Sequence, residues 1–292
     1  MNGVLVIDKP SGFTSHDVVA RVRRIFNQRD VGHLGTLDPM ATGVLPLVMG
    51  NMTRLARFYL GSEKRYEGVV RFGFATDTYD AEGEPSTGHR EPNLTLDQLR
   101  SLACKFHGVI EQMPPPFSAK KINGVPAYKL ARKKKETALK PVQVEIKEFD
   151  VLEFDGARAS FRARVASGTY LRSVAHDLGQ LAGCGAHLDL LRRTSVGEFQ
   201  LNEAHTLDEI ERAAQSGDGV HDLFVHPRTL LPSLPAVTAT DEIVSRIRHG
   251  QPVNLLELSK SHEVKVFYGQ RDLIAIATRV AGTLFHPKIV LG

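Results

Sequence analysis

Residues 32–47 read GHLGTLDPMATGVLPL: one aspartate, Asp38, set among glycines, threonines and a proline, directly ahead of an apolar run. A carboxylate in that setting is either a turn-former bonded to its own backbone or a group held out to react, and Asp before Pro commonly marks a turn or helix start. Two features favour the second reading. Gly32, Gly35 and Gly43 permit backbone conformations and close approaches that side chains forbid, which suits a loop touching a ligand. Farther along, TYLRSVAHDLG (169–179) reads as a helix with Arg172 in its first turn, where a cation opposes the helix dipole by ~0.3–1 kcal/mol. An arginine there calls for an anionic partner on another segment. Asp38 on a facing loop supplies one, and such pairing favours the ionised acid that a nucleophile must be.

Around this loop the chain alternates strands and helices. GVLVIDKPSGFTSHDVVARVRRIF (3–26) predicts a strand, a turn and a helix, with Thr14 and Asp17 spaced as a capping box and Val18, Val22, Ile25 and Phe26 on one helical face. RYEGVVRFGFATDTYDAEGE (65–84) opens as a strand with Tyr66, Gly68, Val70 and Phe72 on one side. LTLDQLRSLACKF (94–106) predicts an amphipathic helix striped by Leu96, Leu99, Leu102 and Ala103. VQVEIKEFDVLEF and SFRARVAS are further alternating strands, and the 169–182 helix carries Leu171, Val174, Ala175, Leu178 and Leu181 at helical spacing. A proline-marked stretch, PRTLLPSLPAVTAT (227–240), precedes a short helix and small strands.

The segment MPPPFSAKKINGVPAYKLARKKKETALKP (113–141) differs in texture. Lys120, Lys121, Lys129, Arg132, Lys133, Lys134, Lys135 and Lys140 face a single acid, Glu136. A solvated basic loop is one reading; interleaving with Phe117 and Tyr128 fits a projection that grips nucleic acid.

The bounds are consistent with that. The 292 residues suffice for one large domain and a smaller one, with 42% hydrophobic and 24% charged residues as in ordinary globular proteins. The net charge of +4 suits a polyanionic partner. Two cysteines, Cys104 and Cys184, without a CxxC leave no disulfide framework or cysteine zinc site. HExxH, GxGxxG and GxxxxGK[ST] are all missing from the sequence, so it offers no motif for a metal, a dinucleotide or a nucleoside triphosphate. Asp8 and Lys9 interrupt the first apolar run too early for a signal peptide, and no run approaches a bilayer span, so a cytoplasmic protein with no membrane partner is expected.

GHLGTLDPMATGVLPL resembles the catalytic motif of the bacterial TruB family, the tRNA pseudouridine-55 synthases. VLVIDKPSGFTSHDVV, KRYEGVVRFG, PPPFSAKKINGVPAYKLAR, SGTYLRSVAHDLG and LRRTSVGEF each resemble family segments in the family's order, covering most of residues 1 to 200. The resemblance implies an α+β pseudouridine synthase fold, a central mostly antiparallel mixed sheet flanked by helices, over residues 1–232. It also implies a thumb-like basic insertion at 114–141 and a small PUA-like β-barrel at 233–292. By position, Asp38 matches the family's nucleophile, and Arg172 the arginine paired with it. Tyr66 matches the tyrosine that packs on the base and is placed for proton removal at carbon 5. Leu191 matches an apolar wall of the uracil pocket, and His33 the histidine that enters the T-loop where the target base swings out. From the residues alone, Tyr66 and Leu191 read equally as core and His33 as a turn histidine. Lys9, Lys120, Lys133 and Lys134 are the remaining expected substrate contacts.

The implied reaction, uridine to pseudouridine at position 55 of tRNA, is redox-neutral and adds no atom, in keeping with a chain that shows no cofactor or metal motif. A carboxylate is a competent covalent catalyst for breaking a glycosidic link, and the sequence is compatible both with attack at carbon 6 and with abstraction of a sugar proton. The expected partner is the T-arm stem-loop of tRNA, bound by a monomer. A chaperone that refolds tRNA through the same surfaces is the alternative, whereas a methyltransferase would want a glycine-rich cofactor loop after a strand.

Overall fold

The computed structural model describes residues 1–118 and 140–292, together with the backbone of two short paired strands, Lys121–Ile122 and Val125–Pro126. Strands in chain order are β1 (Gly3–Lys9), β2 (Val31–His33), β3 (Thr42–Met49), β4 (Lys64–Phe72), β5 (Gly108–Gln112), the paired β6 and β7 just named, β8 (Val142–Phe154), β9 (Arg158–Val165), β10 (Ala186–Val196), β11 (Phe199–Gln200), β12 (Ala236–Ala239), β13 (Val253–Asn254), β14 (Glu263–Tyr268), β15 (Asp272–Ala281) and β16 (Leu284–Val290). The α-helices are α1 (Ser15–Ile25), α2 (Leu96–Ala103), α3 (Leu171–Leu181), α4 (Leu207–Ser216) and α5 (Asp241–Arg248).

The larger sheet runs β1-β3-β10-β4-β9-β8-β5, with β2 added on β3 and β11 on β10. Every pairing is antiparallel except β10 on β3, so the fold is α+β with a mostly antiparallel mixed sheet, as expected. That single parallel pairing has a local consequence. It lays Arg192 and Arg193 of β10 beside Thr42 and Gly43, at the end of the Asp38 loop.

The local signals act as their chemistry dictates. Thr14 and Asp17 close a reciprocal capping box on α1, and Thr95 with Gln98 does the same on α2. The α1 stripe packs with β1 and β3, with Val18 and Val22 buried and Ile25 and Phe26 partly so. The α2 and α3 stripes share a second core with Tyr66, Val70 and Phe72 of β4 and Phe149 and Phe161 behind them. One residue departs from the pattern: Leu181, at the last turn of α3, is exposed, and Ala182, four residues after Leu178, packs against the core in its place. The central strand β10 lacks a readable alternation, since it buries His187 and Arg193 along with its aliphatic residues.

The C-terminal residues build a five-stranded sheet ordered β12-β14-β15-β16-β13, with α5 packed on it through Val244 and Ile247. Its Phe267, Ile276 and Ile289 join Val4, Val48 and Leu55 in one apolar cluster, which seats this sheet on the β1–β3 end of the larger one. No helix among the described residues is long and apolar enough to cross a membrane.

Candidate active site

Asp38 sits where four separate elements converge on one loop. Beneath the loop lie two buried cations. Lys9, at the end of β1, is fully buried and its Nζ donates to the carbonyls of Pro10 (2.8 Å), Phe13 (2.6 Å) and Pro39 (3.1 Å). Arg193, also fully buried, donates from Nε to Val44 O (2.7 Å), from Nη1 to Thr36 O (3.1 Å) and from Nη2 to Gly35 O (3.0 Å). The loop thus aims its carbonyls inward at two cations, which meets the need of buried charges for hydrogen-bond partners. Ser15, at the start of α1, both donates to Leu37 O (3.0 Å) and accepts from Leu37 N–H (2.8 Å). Gly35 and Gly43 adopt φ of +114° and +100°, where side chains are rare. At Gly43 a Cβ would strike the Arg193 carbonyl. Gly32 needs no such freedom and is an ordinary strand residue of β2.

Lys9 was expected to touch substrate, and its burial corrects that: it has no surface to offer and holds the loop from underneath. Burial pushes its ammonium down to about 8, against the pull of Asp38 and Glu82.

With its backbone held, the Asp38 side chain turns outward, about a third exposed, and meets Arg172. Arg172 is the second residue of α3 and is almost wholly buried. Its Nε donates to Asp38 Oδ2 and its Nη2 to Asp38 Oδ1, both at 2.9 Å, a two-pronged fork. The remaining N–H groups are also engaged: Nη2 with Phe117 O (3.0 Å), Nη1 with Thr78 O (3.3 Å) and with Asp80 Oδ2 (3.4 Å). The guanidinium therefore makes four hydrogen bonds and one ion pair. The dipole argument from sequence pointed to one acid for Arg172; the structure supplies two.

Asp80 escaped the sequence reading. It is 4% exposed, and its Oδ1 accepts from the Thr78 hydroxyl (2.5 Å) and from Glu82 N–H (3.1 Å). Burial pushes its carboxyl above the ordinary range, opposed by Thr78 and Arg172. The signal available was TDTYD, an acid-rich turn after a strand, but such turns are usually solvated and nothing local marks this one as buried.

Asp38, Arg172, Tyr66, Leu191 and His33 all line one cavity of about 340 Å³. Tyr66 and Leu191 come from the adjacent strands β4 and β10, where Leu191 pairs with Gly68 and Arg193 with Tyr66, and both are nearly buried. His33, at the end of β2, has an Nδ1 buried without a partner among the described residues. Burial and nearby Arg193 push its ring below the usual imidazole range, which favours the neutral form. Lys64 also lines the cavity and was missed; burial lowers it to about 8. A second cavity of about 470 Å³, bordered by His16, Glu82 and Phe117, meets the first at Asp38. Lys120, Lys133 and Lys134 lie outside the described residues.

The site is thus a carboxylate gripped by a guanidinium fork, about a third exposed and opening on a slot walled by a phenol and a leucine. Comparison with known proteins narrows the class. Residues 23–171 match the model of the TruB family pseudouridylate synthase N-terminal domain, and residues 172–232 match the tRNA pseudouridylate synthase B C-terminal domain. A protein named tRNA pseudouridine synthase B from Solibacter usitatus is 48% identical over the whole of both chains. One of the same name from Dechloromonas aromatica is 40% identical, covering 99% of this chain and 95% of its own. Among solved structures, a Cbf5-Nop10-Gar1 complex contains a chain that superposes with a TM-score of 0.72 at 26% identity, over 99% of this chain and 85% of its own. The chain belongs to the TruB family of pseudouridylate synthases.

Proposed function

We propose that this chain isomerises one uridine of tRNA, at position 55 in the T-loop, with Asp38 as the nucleophile. The observation that carries the reading is the forked Asp38–Arg172 pair at the mouth of the cavity walled by Tyr66 and Leu191. Relatives named tRNA pseudouridine synthase B over the full chain length support the substrate class.

In this reading the target base is everted from the loop, at a loss of a few kcal/mol of stacking, and enters the cavity. The neutral His33 ring takes its place in the loop and offsets part of that loss. Arg172 holds both Asp38 carboxylate oxygens and fixes the direction of their free lone pairs. Asp38 adds to the nucleotide, the bond between N1 and the ribose breaks, and the uracil turns between Tyr66 and Leu191. Carbon 5 then bonds to the ribose, the bond to Asp38 breaks to return the free carboxylate, N1 takes up a proton, and the proton on carbon 5 leaves to a base, the role assigned to Tyr66. Lys120, Lys133 and Lys134 of the 114–141 segment hold RNA phosphates, and the 233–292 unit serves as a PUA-like second hold on RNA.

The test is tritium release from 5-tritiated uridine in a T-arm stem-loop. Asp38→Asn abolishes release while leaving stem-loop binding largely intact. Release surviving in that variant sinks the assignment of Asp38, and tRNA refolding retained by it would show that a chaperone role runs apart from catalysis.

A further inference from the structure

Arg172 and His176 stand four residues apart on α3 and so leave the same face of the helix. Both meet the 76–81 loop. Arg172 takes the Thr78 carbonyl and the Asp80 carboxylate, and between those two residues Tyr79 lays its ring on His176, with centroids 3.8 Å apart and planes 15° from parallel. Tyr79 holds φ at +65°, a left-handed conformation that bulky residues rarely adopt. The segment is over-determined around it. Leu188 N–H donates to Tyr79 O (3.0 Å), Ala81 N–H to Leu188 O (2.9 Å), and the Thr76 hydroxyl to Asp80 O (2.7 Å). His176 Nδ1 is buried with no hydrogen-bond partner among the described residues, so hydrogen bonding through that nitrogen does not account for the ring's placement. Burial also lowers its pKa, which favours the neutral ring that stacks without charge.

We infer that the Tyr79–His176 stack is a positioning clamp for the catalytic arginine. The stack sets the register of the 76–81 loop against α3. That register fixes where Thr78 O and Asp80 meet Nη1, and a guanidinium held at Nη1 can rotate its opposite edge onto Asp38 in one way only. Tyr79 and His176 touch neither Asp38 nor the cavity lined by Tyr66 and Leu191; they act through Arg172. The inference rests on the reading of Asp38 and Arg172 as the reacting pair.

Four variants test it, assayed for single-turnover tritium release, stem-loop binding and urea stability. Tyr79→Gly removes the ring and relieves the left-handed backbone. The clamp requires its single-turnover rate to fall about tenfold, as loosened positioning does, with binding within about twofold and stability unchanged or higher. A ring that only fills space would leave the rate alone. His176→Ala should fall equally, His176→Phe should recover most of the rate because it keeps a stacking face, and the double variant Tyr79→Gly/His176→Ala should be no slower than either single change. Rates for Tyr79→Gly and His176→Ala within about twofold of the unaltered protein overturn the clamp, as does a His176→Phe variant as slow as His176→Ala. Both results leave the proposed function standing if Asp38→Asn is dead. An unaltered protein that releases no tritium overturns function and clamp together.

Discussion

Replacing Arg172 by lysine keeps the positive charge and removes the fork. In the native site the guanidinium serves five oxygens, hydrogen-bonding two on Asp38 at 2.9 Å and the carbonyls of Thr78 and Phe117, and pairing with Asp80 at 3.4 Å. An ammonium offers three donors from a single point, so at least two acceptors go without a partner. If one arm to Asp38 goes, a charge-assisted hydrogen bond worth about 1.5–3 kcal/mol goes with it. At 1.36 kcal/mol per decade that slows the step in which Asp38 reacts by roughly ten- to hundredfold. Asp80, 4% exposed and already pushed toward protonation by burial, is left with a weaker partner, and stability falls by about 1–3 kcal/mol. The assay is single-turnover tritium release with enzyme in excess, run beside urea denaturation and stem-loop binding. Binding should hold, because Arg172 lies behind Asp38 and its donors are already taken. A lysine variant that reacts within about threefold of the unaltered protein, with an unshifted urea midpoint, refutes the claim that the fork's geometry matters beyond its charge.

Three further outcomes follow from other parts of the structure. Gly43→Ala places a Cβ against the Arg193 carbonyl at a φ of +100° and should destabilise by at least about 2 kcal/mol; a urea midpoint equal to that of the unaltered protein shows that β3 and β10 pack more loosely than this geometry requires. Burial raises Asp177 to about 6, so the folded state holds a proton that the unfolded chain releases near 4. The stability it contributes is full below pH 4 and lost as pH rises through 6. Asp177→Asn should therefore be more stable than the parent by roughly 1–2 kcal/mol at pH 7.5, the partly exposed position discounting the full shift, and the gap should close toward pH 4 in paired urea titrations. Replacing Lys133, Lys134 and Lys135 with alanine should weaken tRNA binding and reduce the slope of log affinity against log salt by about one for each phosphate no longer neutralised; an unchanged slope marks the run as a solvated face.

Much of this molecule is legible in its sequence. Capping boxes at Thr14 and Thr95, the stripes of α1 and α2, and the alternation of β4, β8 and β9 are governed by neighbours a few residues away, and local chemistry settles such elements wherever the chain goes. The pairing of Asp38 with Arg172 was reachable for a related reason: a cation in the first turn of a helix is locally unfavourable, and that mismatch announces an outside partner. Lys9, Arg193 and Asp80 carry no such mark. In sequence a lysine beside a turn, an arginine in an arginine pair or an acid in TDTYD reads as solvent-facing, because charges usually are. Each is buried here only because carbonyls or countercharges from distant segments converge on it, and that convergence is a property of the assembled sheet. The same holds for β10, whose buried His187 and Arg193 erase the alternation a strand would show. Local periodicity thus determined most of the elements, and the helix-dipole mismatch pointed to the pairing of Asp38 with Arg172. The tertiary structure decided which charges lie beneath that acid, because the free energy of burying an ion depends on groups that folding brings to it, from 30 residues away for Lys9 and 157 for Arg193.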